Sequence, residues 1–275
     1  MPTPRWERFE AFLWETTSLL VVGEAESLVV DPAITADEVA AIDSSATELG
    51  APVGQLLITH GDWDHVCGIG GFPEATVAMG EETAAKVTSG AAANSVQRGV
   101  DGYGFDVAGP PRVDRPFARG TAVALGEFVV ESFPLVGHTP DGTGFRLREL
   151  GLLIVGDHLS PVEFPFATSP AAYRLTLAGL IELLREDPPE TVIPGHGPPL
   201  SAEEALGIAQ ADLGYLRSLH RSVVDVLSGG GTRDEAREAG LAVALPRESS
   251  PDLEEMRGFN VDRELDEILP AAAGA

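Results

Sequence analysis

Short apolar runs that stop on an aspartate or a histidine are the feature that most limits how this chain can fold. SLVVD ends on Asp31, GQLLITH on His60, LVGH on His138, LLIVGD on Asp157 and VIPGH on His196. A short apolar run bounded by turn residues reads as a buried strand. An acid or imidazole just past its end sits in a turn, where side chains from several strands can converge on one edge of a sheet.

The densest group is HGDWDH, in which His60, Asp62, Asp64 and His65 follow one strand. A strand entering a tight turn projects alternate side chains the same way, so His60 and Asp62 can share one centre. Asp64 and His65, around the turn, can face a neighbouring one. Carboxylates and imidazoles packed this closely are normally metal ligands, because unpaired they would be costly to bring together. A hydrogen-bonded turn is the plainer alternative. His138 in GHTPDG, Asp157 in IVGDH and His196 in PGHG each follow an apolar strand too, and a set of such strand ends favours the metal reading.

Composition narrows the partners. The 275 residues carry a formal charge of −25, which argues against nucleic acid and against docking on anionic lipid. A small-molecule substrate fits better. The 44% apolar content suits a globular protein able to bury a full core. One cysteine, Cys67, excludes an internal disulfide and fits a reducing, cytoplasmic setting. No long apolar run opens the chain or could span a membrane, so neither a secretory leader nor a membrane anchor is expected. Lys86 is the sole lysine, which reads as coding bias.

The first third alternates strands and helices: strands at 17–22 and 27–31, a helix over 35–49 capped by Thr35 with Gly50 past its end, then strands over 53–60 and 75–80 and a short helix over 81–89. Residues 89–117, rich in Gly, Pro and Ala, show little periodicity and read as a long loop, either a surface excursion or an active-site lid. Residues 118–158 are β-rich, 170–185 read as a helix, and 190–197 as a last strand entering a turn. Between 206 and 227, Leu206, Ala209, Leu213, Leu216, His220, Val223 and Leu227 form one apolar stripe, which serves packing within a monomer or across a homodimer. The tail from Pro251 reads as a short acidic helix pair ending in a frayed AAAGA.

The ordered set Asp31, His60-x-Asp62-x-Asp64-His65, His138, Asp157 and His196 resembles the five-motif pattern of the metallo-β-lactamase-fold hydrolases, the glyoxalase II-like or lactonase-like small-molecule branch among them. The resemblance implies an α/β fold, a four-layer αββα sandwich with two mixed β-sheets. It places a binuclear metal site in residues 1–200, with 201–275 as a C-terminal helical extension packed on the same domain. It carries His60, Asp62 and His138 onto the first metal, Asp64, His65 and His196 onto the second, and Asp157 onto the bridging position. Asp31 matches the aspartate that supports the ligand loop. The cofactors implied are two divalent ions, zinc first, with iron or manganese as alternatives. The chemistry implied is hydrolysis of an ester, thioester or lactone by a water bridging the ions, with Asp64 as the catalytic residue that orients it or takes its proton.

Asp62 departs from the pattern, which usually has histidine there. The extra negative charge makes the site a weaker Lewis acid and raises the pKa of bound water. His60, Asp62 and His138 also form the two-histidine, one-carboxylate set suited to non-haem iron(II). An iron oxidoreductase of the persulfide dioxygenase kind is therefore the alternative, and a non-catalytic metal-binding member a third. Flavodiiron proteins carry an acid at this position but need a flavodoxin-like partner domain, whereas residues after 200 read as helices. His158, next to Asp157, should point away and be structural. His220 reads as a core histidine, with the rival reading that its helix borders the pocket. Trp63 and Cys67 read as packing residues, and Tyr103, Phe105, Phe164, Phe166, Tyr173 and Tyr215 as candidates for a pocket wall.

Overall fold

Alternation along the strands builds the layers. The computed structural model describes residues 6–248 and 256–269. One sheet runs in the order β1 (Trp6–Glu10), β2 (Thr17–Val22), β3 (Ser27–Val30), β4 (Val53–Ile58), β5 (Thr76–Gly80), β6 (Arg115–Phe117). Its first three strands are antiparallel and the rest join in parallel. The second sheet pairs β7 (Ala122–Leu125), β8 (Phe128–Pro134), β9 (Thr143–Leu147), β10 (Leu152–Ile154) and β11 (Thr191–Ile193) in sequence order, antiparallel except for β10 with β11.

Leu19, Val21, Leu28, Val30 and Leu57 of the first sheet face Val130, Phe145, Leu152, Ile154 and Ile193 of the second, forming the core between the sheets. The intervening residues Leu20, Val29, Leu56, Ile58 and Val77 point to the opposite face. There they meet helices α1 (Ala36–Glu48), α3 (Glu81–Thr88) and α4 (Ala91–Tyr103); the short α2 (Trp63–Val66) lies at the sheet edge. Leu153 and Val192 of the second sheet pack instead on α5 (Pro170–Glu186) and α6 (Ala202–Ser228). Period-two burial on both sheets thus produces the αββα sandwich with two mixed sheets.

The helix expected over 35–49 is α1, and its Thr35 cap forms a reciprocal capping box with Glu38. Most of the apolar stripe of α6 is buried within the chain, with Ala209, Leu213, Leu216 and Val223 on Tyr173, Leu177 and Leu180 of α5. Helices α7 (Arg233–Leu241) and α8 (Arg257–Ile268) close over the other side of α6. Among the described residues no helix is long and apolar enough to cross a membrane.

Two expectations need correction. Residues 89–117 are not one long loop, because 91–103 form α4. Its buried face, Ala92, Val96 and Gly99, does recur at helical spacing, but the side chains are small and glycines at 90, 99, 102 and 104 read as loop. At Gly99 the reason is close approach, since a Cβ there would lie 2.7 Å from the Trp63 ring. His220 is not a core histidine. Its side chain is 45% exposed, and Nδ1 lies 2.6 Å from Oε1 of the buried Glu264 on α8. The tail supplies one described helix, α8; the rest of the expected pair and the AAAGA end lie outside the described residues.

Candidate metal centre

Five turns at one end of the sandwich bring the polar side chains together. His60 follows β4, and the turn after it carries Asp62 and leads into α2 with Asp64 and His65. His138 follows β8, Asp157 follows β10 and His196 follows β11. Parallel β3, β4 and β5 all end at this edge, and Asp31, just past β3, lies beneath the ligand loop.

Each of the four imidazoles is oriented by its Nδ1. His60 Nδ1 donates to Thr59 Oγ1 at 2.9 Å, because that hydroxyl gives its own proton to Asp31 Oδ2 at 2.6 Å. His65 Nδ1 donates to Asp31 Oδ2 at 3.0 Å. His138 Nδ1 donates to the carbonyl of Phe166 and His196 Nδ1 to that of Trp14, both at 3.0 Å. Carboxylate and carbonyl can only accept, so every Nδ1 carries a proton, and the neutral ring presents its lone pair at Nε2. Asp31 holds φ +51°, a backbone conformation uncommon outside glycine, while its carboxylate also accepts from Thr59 N at 2.8 Å.

The Nε2 atoms meet three carboxylates. Asp157 Oδ2 lies 3.5 Å from His60, 3.1 Å from His138 and 3.3 Å from His196, and its Oδ1 lies 3.0 Å from His65. Asp64 Oδ2 is 3.4 Å from His65 Nε2 and 3.5 Å from His196 Nε2. Asp62 Oδ2 is 3.4 Å from His138 Nε2 and 3.7 Å from His60 Nε2. All seven residues singled out in the sequence therefore converge, as the triads His60–Asp62–His138 and Asp64–His65–His196 around Asp157.

This donor set fits two metal ions. Nε2 of His60, His65 and His138 and Oδ1 of Asp157 are buried without a hydrogen-bond partner, which is costly unless a cation takes them up. The electrostatics point the same way. Burial alone would lower His196, yet the charges of Asp157 and Glu163 outweigh it and raise it to about 9. His65 and His138 are raised against burial by Asp157 and its neighbouring carboxylates, while Asp157 is held well below the carboxylate range by four imidazoles. The cluster attracts positive charge.

A cavity of about 250 Å³ opens over the cluster. Trp14, Trp63, Phe166, Met256 and Phe259 line it, and Glu163 and Thr168 supply polar points. Trp63 is more than packing: one face of the pocket is its ring, stacked on Tyr103 and Phe105 at 5.6 and 5.5 Å. Among the wall candidates named from the sequence only Phe166 lines the cavity directly, while Phe164, Tyr173 and Tyr215 are buried. The C-terminal helix that borders it is α8, through Met256 at its start and Phe259, not the long helix of His220. Glu163 went unread in the sequence; it is buried 3.8 Å from His196 Nδ1, and burial raises its carboxyl to about 7. His158 turns away, as alternation requires, and its ring lies against Tyr173 at 4.4 Å. Cys67 is buried under the ligand loop.

The profile of the metallo-beta-lactamase superfamily matches residues 12–196, a span that holds all seven residues. The chain belongs to that superfamily. Solved structures of metallo-β-lactamase proteins share the fold across nearly the whole chain. A metallo-beta-lactamase family protein of Thermus thermophilus is 19% identical, covers 98% of this chain and 94% of its own, and superposes with a TM-score of 0.67. A beta-lactamase domain protein of Burkholderia ambifaria is 19% identical over 98% of this chain and 87% of its own, with a TM-score of 0.63. TTHA1623, solved in a di-iron-bound form, is 22% identical over 72% of this chain and 96% of its own, with a TM-score of 0.56. At such identities the likeness shows the fold alone. A search of curated protein sequences finds no match.

Proposed function

We propose that this metallo-β-lactamase-fold chain is a two-metal hydrolase of an uncharged, largely apolar small-molecule ester, thioester or lactone. One observation carries the reading: four Nε2 lone pairs and three carboxylates meet at the floor of an aromatic cavity. His60, Asp62 and His138 would hold one ion, Asp64, His65 and His196 the other, with Asp157 between them. Divalent ions, zinc first, would supply an acidified water and a Lewis acid for the substrate carbonyl there.

The chain's own residues do the rest. Asp64, at the cavity floor, orients the attacking water or accepts its proton. Trp14, Trp63, Phe166 and Phe259 hold an apolar acyl or alcohol portion and exclude bulk water. No arginine or lysine lines the cavity among the described residues, so away from the metal centre an anionic group would find no counter-charge. In this reading residues 1–200 carry the metal centre, and 201–275 contribute α8 as one wall.

The test is a substrate panel on zinc-loaded protein, pairing each neutral ester, thioester or lactone with a carboxylate-bearing analogue. We expect turnover of neutral members, preference over the anionic partner by about tenfold or more, and loss of turnover in Asp64→Asn with metal still bound. Full activity in metal-loaded Asp64→Asn would remove that residue's role. A second reading, the iron oxidoreductase, draws on the triad His60–Asp62–His138, two histidines and a carboxylate facing the cavity. Oxygen consumption by iron-loaded protein without hydrolysis of any panel member would favour it.

A further inference from the structure

We propose that Lys86 is the positioning residue that makes Asp62 work as a metal ligand where the family pattern has a neutral histidine; this rests on the two-metal reading above. Lys86 is the only lysine among 275 residues, and it lies in the last turn of α3 with its ammonium 2.6 Å from Asp62 Oδ1. The other oxygen, Oδ2, is the one turned to Nε2 of His138 and His60. The two oxygens are thus divided, one for the ammonium and one for the centre, which holds the carboxylate to one-oxygen ligation.

The arrangement is built from both sides. The stem of Lys86 lies close against the ligand loop at Gly61, where a Cβ would be 2.8 Å from Lys86 Cδ. Asp141 flanks it, with Oδ2 accepting from Gly61 N at 2.8 Å and Oδ1 3.8 Å from the ammonium. That Oδ1 is buried with no hydrogen-bond partner, which leaves Lys86 as its nearest compensation. The pair is only part-buried, with 27% of the lysine and 32% of the aspartate side chain exposed, so it adds little to folding. Its larger consequence is for the ion. A third carboxylate beside two divalent cations and a hydroxide cancels the net positive charge of the centre, and the ammonium, shared with Asp141, offsets part of that loss.

The experiment is a double-mutant cycle on metal affinity, read by chelator competition with zinc on full-length protein. Lys86→Met should weaken the less tightly held ion about 10–100-fold, the loss typical when a ligand's supporting partner is removed. In an Asp62→His background the ligand is neutral and the ammonium only repels the ion, so Lys86→Met should leave affinity unchanged or raise it. Metal-free melting curves check that each variant folds. Unchanged zinc affinity in Lys86→Met alone overturns the proposal, as does an equal loss in both backgrounds, the mark of a merely structural lysine. Wild-type protein that takes up no zinc would overturn the two-metal reading and this proposal with it.

Discussion

The two candidate ligand triads meet at Asp157 but differ in how far they are closed off. In Asp64–His65–His196 the side chains are 6%, 0% and 3% exposed. In His60–Asp62–His138 the figures are 2%, 32% and 15%. Both are braced from behind, His65 on Asp31 and His196 on the Trp14 carbonyl in one, His60 on Thr59 and His138 on the Phe166 carbonyl in the other. Both reach the cavity, but the second is the more exposed, and its Asp62 leans on Lys86. Equal ligand numbers therefore need not mean equal hold on a metal: burial and outer support set how fast an ion leaves.

The largest effect should come from removing what the triads share. Asp157 approaches all four Nε2 atoms, so Asp157→Ala should strip both ions and take hydrolysis to background, beyond the about 10–100-fold cost of an outer-sphere change. Elemental analysis after dialysis checks it, and retention of one full equivalent would mean that the triads stand apart. Next comes the difference between them. Under excess chelator the ions should leave in two phases, with Asp62→Ala abolishing the fast phase and His65→Ala the slow one. A single phase in wild type would break the comparison. The smallest effect sharpens it by control. His158 adjoins Asp157 yet belongs to neither triad, and burial lowers it from 6.5 to about 3. A depressed histidine contributes stability that is present above pH 6.5 and lost as pH falls toward 3. His158→Asn should flatten that loss, seen as a smaller drop in urea midpoint from about pH 8 to about pH 5, with metal content unchanged.

The sequence and the structure agree most closely where chemistry is local. HGDWDH names four ligand candidates in one turn, and the other three stand at strand ends that period-two burial makes visible. What stayed hidden depends on contacts between distant segments. Helix α4 is masked by glycines at 90, 99, 102 and 104, of which Gly99 is pressed on the Trp63 ring. The cavity wall draws on Met256 and Phe259, far along the chain from Trp63, so no local pattern announces it. His220 lies on the apolar stripe by spacing, but its ring is partly exposed and reaches inward only through Nδ1 to the buried Glu264 of α8. Lys86, which composition alone reduces to coding bias, stands against Asp62.

The most direct test of the two-metal centre is the metal content of the full chain, purified without added metal and then dialysed against zinc. A centre built from two triads around Asp157 should hold about two equivalents of divalent metal per chain. Protein that holds none and takes up none, while remaining folded, would contradict it.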